Sequence, residues 1–332
     1  MYKNRIELYK QLEENRKSRV LVYVTGDRRH LETIIAEEVL DFFVHHLDSI
    51  VDSQKISLFL YTRGGNTLAA WSIVNLVRQF CKKLEVIVPS KARSAGTLIC
   101  LGADNIVMTK QATLGPIDPS VNTPLNPAVP GAPATAKVPV SVEDINAFLE
   151  FSKSFLKPDE SASESIIELV KQVHPLVLGN AFRARAQIRM LAGRLLSKQI
   201  PAQNKIDKIL DFLCSESGSH DYTINRREAR DELGLTIEKP DDQLYKLIKT
   251  IYDDIATELQ LTTPYDPNIL LGAENPITYS FHRALIESVR VGSHIFISEG
   301  RLSRQAVQLR PGVTQDAIRD DRSFEGWRLE NP

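Results

Sequence analysis

The sequence predicts an α/β fold, a mostly parallel sheet followed by a helical extension. Three observations carry that expectation. Short apolar runs alternate with amphipathic stretches over residues 19–109, turns of small residues join the runs to the stretches, and residues 142–235 keep a helical texture with no further alternation. Strand, helix and strand in that order favour right-handed crossovers between parallel neighbours.

Residues 1–18 are rich in Lys, Arg and Glu, and Ile6, Leu8 and Leu12 give a narrow apolar stripe, the pattern of a surface helix or an oligomer contact. Residues 19–25 (RVLVYVT) read as a strand, 31–47 as an amphipathic helix, and 57–61 (SLFLY) as a strand buried on both faces. A helix over 66–81, a strand over 84–89, a short helix over 94–102 and a strand over 105–109 follow. Between 119 and 142 six prolines fall in 24 residues, Lys137 is the single charge, and periodicity is lost. A loop this long within a compact domain is functional or mobile. Residues 142–155 and 162–196 are helical in pattern, with Pro175 and Gly179 as expected breaks. A helix, a polar turn and a second helix fill 205–235, then a helix near 242–259 and a strand pair near 288–298. The expected organisation is an N-terminal helix (1–18), a main domain (19–238) containing the proline-rich loop 119–142, and a C-terminal α/β extension (239–332).

Composition narrows the function classes. With 42% hydrophobic and 25% charged residues among 332, the chain is globular. Its apolar runs are far shorter than the roughly 20 residues needed to cross a bilayer, and Met1-Tyr2-Lys3-Asn4-Arg5 leads into no apolar signal region, so the expectation is a cytoplasmic protein without a membrane partner. A net charge of −1 argues against nucleic acid as a partner. Cys81, Cys100 and Cys214 are odd in number and lack zinc spacing, and the seven histidines show no metal-ligand pattern. No cofactor or metal is expected.

Two turns carry the chemistry. Tyr61-Thr62-Arg63-Gly64-Gly65-Asn66-Thr67 and Ser90-Lys91-Ala92-Arg93-Ser94-Ala95-Gly96-Thr97 each place small residues between the carboxyl end of a strand and the start of a helix. In an open α/β sheet that edge is where ligands bind. Alone, Gly64-Gly65 permits a tight turn and Ser94 caps a helix. Together they suggest a nucleophile, Ser94, facing an oxyanion hole made by the N–H groups of Gly65 and Ala95. A phosphate loop fits less well, since no Gly-Lys-Ser/Thr follows and no G-x-G-x-x-G is present.

The motifs Tyr-Thr-Arg-Gly-Gly, Val-Pro-Ser-Lys-Ala-Arg-Ser-Ala-Gly-Thr and Leu114-Gly-Pro-Ile-Asp-Pro119 resemble those of the serine dehydrogenase proteinases. Val140 to Asp144, His174-Pro175-Leu176, and Ser219-His220-Asp221-Tyr222 with Arg227-Glu228-Ala229 extend the likeness from about Leu8 to Leu235. The resemblance implies a Clp/crotonase-like spiral of ββα units, a homo-oligomer, a polypeptide substrate and peptide-bond hydrolysis through an acyl-enzyme on Ser94. It implies no redox chemistry.

A serine hydroxyl needs a base to take its proton. The related Clp protease has its histidine in the strand after the nucleophile's helix, where this chain reads Gly115-Pro116-Ile117-Asp118-Pro119. Three candidates stay open. His220, with Asp221, precedes Glu228-Ala229 by the interval that in the Clp protease separates the triad aspartate from its own Glu-Ala pair; Asp118 or Asp221 would then orient the imidazole. Lys137 follows Ser94 by the kind of loop that supplies the lysine of Ser-Lys relatives. Asp118 is the third, against a structural role in its turn. A non-catalytic scaffold and a crotonase-like acyl-CoA enzyme are the alternatives from other classes.

Overall fold

The computed structural model describes the chain except residues 51–52, 134, 156–161, 217, 311–312 and 331–332. It divides into two compact units, residues 1–114 with 225–332, and residues 115–224.

The first unit opens with helix α1 (Tyr2–Arg16) and runs through β1 (Arg19–Thr25), α2 (Leu40–Asp48), β2 (Ser53–Tyr61), α3 (Thr67–Gln79), β3 (Cys81–Val88), β4 (Lys91–Ala92), α4 (Ala95–Leu101), β5 (Asn105–Met108) and β6 (Thr113–Leu114). All but the first residue of β1 and the last six of β2 are buried, as apolar runs covered on both faces must be. The Asn66 side chain starts α3 by accepting from the N–H groups of Leu68 and Ala69 at 2.8 and 2.9 Å. The expected helix over 31–47 begins late, with a 3₁₀ turn at Glu37–Val39 ahead of α2. The reason is tertiary: Ile35 N–H donates to Gly64 O at 2.9 Å and Ile35 O accepts from Asn66 N–H at 2.8 Å, so this stretch is held as an extended strap.

The second unit holds β7 (Ser120–Val121), β8 (Val140–Ser141), α5 (Val142–Phe155), α6 (Ala162–Gln172), α7 (Pro175–Leu196) and α8 (Gln203–Asp211), and the chain leaves it through β9 (Ile224–Asn225). Pro175 does break the helical stretch: it is the first residue of α7, and His174 Nδ1 caps that helix by accepting from Leu176 N–H at 3.2 Å. Gly179 does not, because it sits inside α7. The proline-rich loop is folded back on itself, with β7 antiparallel to β8 and Ala128 bridged to Lys137. Buried Asn126 holds the two arms by donating to Val121 O at 2.7 Å and Val138 O at 2.9 Å.

The first unit resumes with α9 (Arg226–Asp231), β10 (Ile237–Glu238), α10 (Asp242–Glu258), α11 (Pro267–Leu271), β11 (Ile277–Ser288), β12 (Gly292–Arg310) and β13 (Val313–Glu330). The strand pair expected near 288–298 is thus the base of a much longer ribbon. Among the described residues the main sheet has the order β10-β5-β3-β2-β1-β11-β12-β13. It is parallel from β10 to β1 and antiparallel from β1 to β13. The parallel order expected from residues 19–109 therefore holds, and the later strands make the sheet mixed. Beside it β4 pairs in parallel with β6, so β3-β4-α4 sends one strand to each sheet before its helix, the ββα pattern. Helix α1 buries Tyr2, Arg5, Tyr9 and Leu12, and the core there joins its apolar residues to Leu244, Ile248, Ile251 and Ile255 of α10. Among the described residues no helix is long and apolar enough to cross a membrane.

Candidate active site

Thr62 fixes the two turns of the first unit to each other. Its N–H donates to Lys91 O and its carbonyl accepts from Arg93 N–H, both at 3.1 Å. Its hydroxyl oxygen accepts from Thr25 Oγ1 at 2.8 Å and from Gly64 N–H at 3.0 Å. Behind them α4 packs closely, since a Cβ on Gly96 would lie 2.4 Å from Thr62 Cγ2. The glycine pair and the serine are therefore neighbours through backbone bonding that their spacing alone does not reveal.

Gly64 touches Ser94. A Cβ placed on Gly64 would stand 2.7 Å from Ser94 Cβ and 2.9 Å from Arg93 O, and its φ of +118° is one that side chains rarely adopt. At Gly65, φ is +147° and a Cβ would meet Ile35 N and O at 2.5 and 2.4 Å. Glycine is required at both positions for shape as well as for flexibility. Gly64→Ala is expected to cost about 1–3 kcal/mol or more. Gly131→Ala, at φ +75° with open space around its Cβ, should cost less. Urea midpoints of the two variants check this, and equal losses would show that the contact with Ser94 contributes nothing.

Ser94 itself is strained. It has φ 52° and ψ −117°, outside the ordinary regions for a residue with a side chain, and its hydroxyl does not cap α4. Its carbonyl is engaged, accepting from Leu98 N–H at 3.1 Å. Among the described residues of this unit its Oγ has no hydrogen-bond partner, and the N–H groups of Gly65 and Ala95 have no acceptor. The helix-cap alternative for Ser94 thus fails, and what remains is a half-buried hydroxyl on a turn with two uncommitted donors.

A neighbouring cluster leaves no signal in the sequence. Lys91 Nζ lies 2.5 Å from Asp27 Oδ2, and Tyr61 OH donates to Asp27 Oδ1 at 2.9 Å. Burial, with Tyr252 and Asp27 close by, raises the Tyr61 phenol well above its usual range. The three residues tie the ends of β1 and β2 to the turn preceding Ser94. Lys91 stands in the second of the two turn motifs, but nothing in the spacing pairs it with Asp27.

In the second unit His220 and Asp118 meet, with Nδ1 and Oδ1 2.8 Å apart. Asp118 is nearly covered, its side chain 11% exposed against 54% for His220. They line a cavity of about 550 Å³ with Ser141, Glu143, Ser215 and Ser219. Of the two carboxylates considered for His220, Asp118 is the one bonded to it; Asp221 is exposed, and its N–H donates to Ser219 Oγ at 3.2 Å. Lys137 is half-buried in the folded loop and is not part of that cavity lining.

The comparisons bear on this arrangement. Residues 1–147 match the family model of the ClpP-like SDH-type serine proteinases. That match contains both turns, Ser94, Asp118 and Lys137, whereas His220 and Asp221 lie beyond it. An uncharacterized protein of Methanocaldococcus jannaschii, MJ0137, is 28% identical over 197 residues, which are 59% of this chain and 58% of that protein. The chain thus spans little more than half the length of that relative. Among solved structures, the 1510-N membrane-bound stomatin-specific protease with a substrate peptide is 16% identical, over 68% of this chain and 78% of that one, at a TM-score of 0.38. ClpP1 from Listeria monocytogenes is also 16% identical, over 71% of this chain and 98% of its own, at 0.37. The Clp side of the Clp/crotonase expectation is the one the family match supports; the crotonase side has no support in these likenesses.

Proposed function

We propose that this chain is a serine peptidase in which Ser94 attacks a peptide carbonyl and carries the acyl group until water releases it. The observation that carries the reading is Ser94 on a strained turn, in contact with Gly64, beside two N–H groups that have no acceptor among the described residues of the unit. Strain of this kind persists where a function holds it. The N–H groups of Gly65 and Ala95 would take the oxyanion as it forms, a contribution of the type that costs about 10²–10³ in turnover when one donor is lost. The family match of residues 1–147 supports the same chemistry.

His220 is the proposed base. Asp118 meets Nδ1 and orients the ring, and the imidazole would take the serine proton and return it to the leaving amine. Lys137 is the second candidate, and Asp221 adds negative charge next to the imidazole. Polypeptide as substrate, a homo-oligomeric assembly and a cytoplasmic location complete the proposal. Every step uses side-chain and backbone groups of the chain, so no cofactor enters it.

Labelling with a fluorophosphonate probe, followed by mass spectrometry, tests the reading. Modification is expected at Ser94, lost in His220→Ala and retained in Lys137→Ala. The opposite pattern in the two variants would name the lysine as base. A folded wild-type protein left unmodified would end the serine-peptidase reading.

A further inference from the structure

Each turn of the crevice carries an arginine, and neither is neutralised. Among the described residues the guanidinium groups of Arg63 and Arg93 form no ion pair and donate to no acceptor. Arg63 is exposed, but Arg93 is half-buried, and its Nε is shut off from solvent. The guanidinium groups of Arg29, Arg194 and Arg227, which also make no hydrogen bond or ion pair among the described residues, belong to exposed residues, where water serves them. Arg93 differs from them in one N–H, at Nε, that has lost water without gaining an acceptor. A guanidinium keeps its charge throughout the pH range of folded proteins. A buried donor left without an acceptor costs about 1–3 kcal/mol and calls for an explanation.

The other cation of the turn does not supply one. Lys91 is already matched by Asp27 at 2.5 Å, so the uncompensated charge beside Ser94 belongs to Arg93, with Arg63 on the companion turn. The N–H groups of Gly65 and Ala95 are reserved for the oxyanion, so a substrate carboxylate falls to the guanidinium groups. Donors and positive charge without a facing carboxylate define a place for an anion.

We infer that the Ser94 crevice selects polypeptides that carry a carboxylate close to the bond to be cut, held by Arg93 with Arg63 at the rim. This rests on the serine-peptidase reading and adds its substrate class. The carboxylate has two sources in a peptide, a Glu or Asp side chain and a free C-terminus.

The test measures binding without turnover, by fluorescence anisotropy of fluorescein-labelled peptides on the Ser94→Ala protein at low salt. One peptide pair differs by internal Glu against Gln, the other by C-terminal acid against amide. In one pair the acid is expected to bind about tenfold tighter or more, the size of a charged hydrogen bond, and that pair names the source. The acid-to-amide ratio should fall towards one when Arg93→Met is added, fall further with Arg63→Met, and largely survive Arg93→Lys, which also controls for folding. Equal affinities in both pairs, no binding, or a ratio indifferent to Arg93→Met would overturn the inference. Wild-type protein that keeps the acid preference but resists the fluorophosphonate probe would instead overturn the peptidase reading alone.

Discussion

Ser94→Ala is expected to lower peptide hydrolysis by at least about 10³-fold while leaving the protein as stable as the wild type. The magnitude follows from removing the atom that forms the acyl bond: what survives in such variants is the residual catalysis of the oxyanion hole and substrate binding. The stability expectation follows from the backbone. Alanine inherits the φ of 52° and ψ of −117°, and the lost hydroxyl has no hydrogen-bond partner among the described residues of its unit. Ser94→Gly separates the two properties. Glycine relieves a strain of about 1–3 kcal/mol against about 0.5–1 kcal/mol of added chain entropy, so this variant should melt at or above the wild-type temperature and be equally inactive. Residual hydrolysis near wild type in Ser94→Ala would remove the nucleophile from the mechanism. A Ser94→Gly protein that melts well below wild type would show that the turn is not strained.

The parts of the fold legible in the sequence were those with local causes. Residues 19–25 form a strand because six consecutive apolar or β-branched residues are buried there, and helices 142–155 and 242–258 follow spacing and caps within their own segments. Failures came where distant residues decide. The strap over 31–36 looks helical until Gly64 and Asn66 claim the hydrogen-bonding groups of Ile35. The buried face of α1 was misread because two tyrosines and an arginine form it with Leu12, and an apolar stripe does not count them. The same division runs through the site. Ser94, Gly65 and Ala95 were visible as two turns of small residues, and their strain and free donors are what such turns produce. That Asp118, not Asp221, bonds to His220 across 102 residues of chain could come only from the structure.

The misread face of α1 also carries the largest expected effect on stability. Arg5 is fully buried, with Nη2 2.5 Å from Glu287 Oε1 and Nη1 2.6 Å from Glu258 Oε2, in contact also with Asp254 and Tyr9. Glu287 is as completely covered. Burial acts to weaken the charge on Arg5, but Glu287 and its neighbours outweigh it, so the guanidinium is held more firmly charged than in water. Arg5→Met leaves Glu287 as a buried charge without its cation and should cost about 3–5 kcal/mol. Glu287→Gln on the Arg5→Met background should recover part of that loss, since the orphaned charge is then gone. Urea unfolding of the single and double variants measures both. A single variant within 1 kcal/mol of wild type would mean that the network exerts no net hold. The same cluster sets an acid limit. Burial alone would raise the Glu258 carboxyl, but the bonds from His282 and Arg5 bring it down to about 2. A carboxylate with a depressed folded value stabilises above its unfolded pKa of about 4.3, and that contribution is lost as pH falls from there towards 2. The acid loss should therefore be smaller in Arg5→Met than in wild type, because one of the groups that depress Glu258 is missing while His282 and the N-terminal ammonium remain.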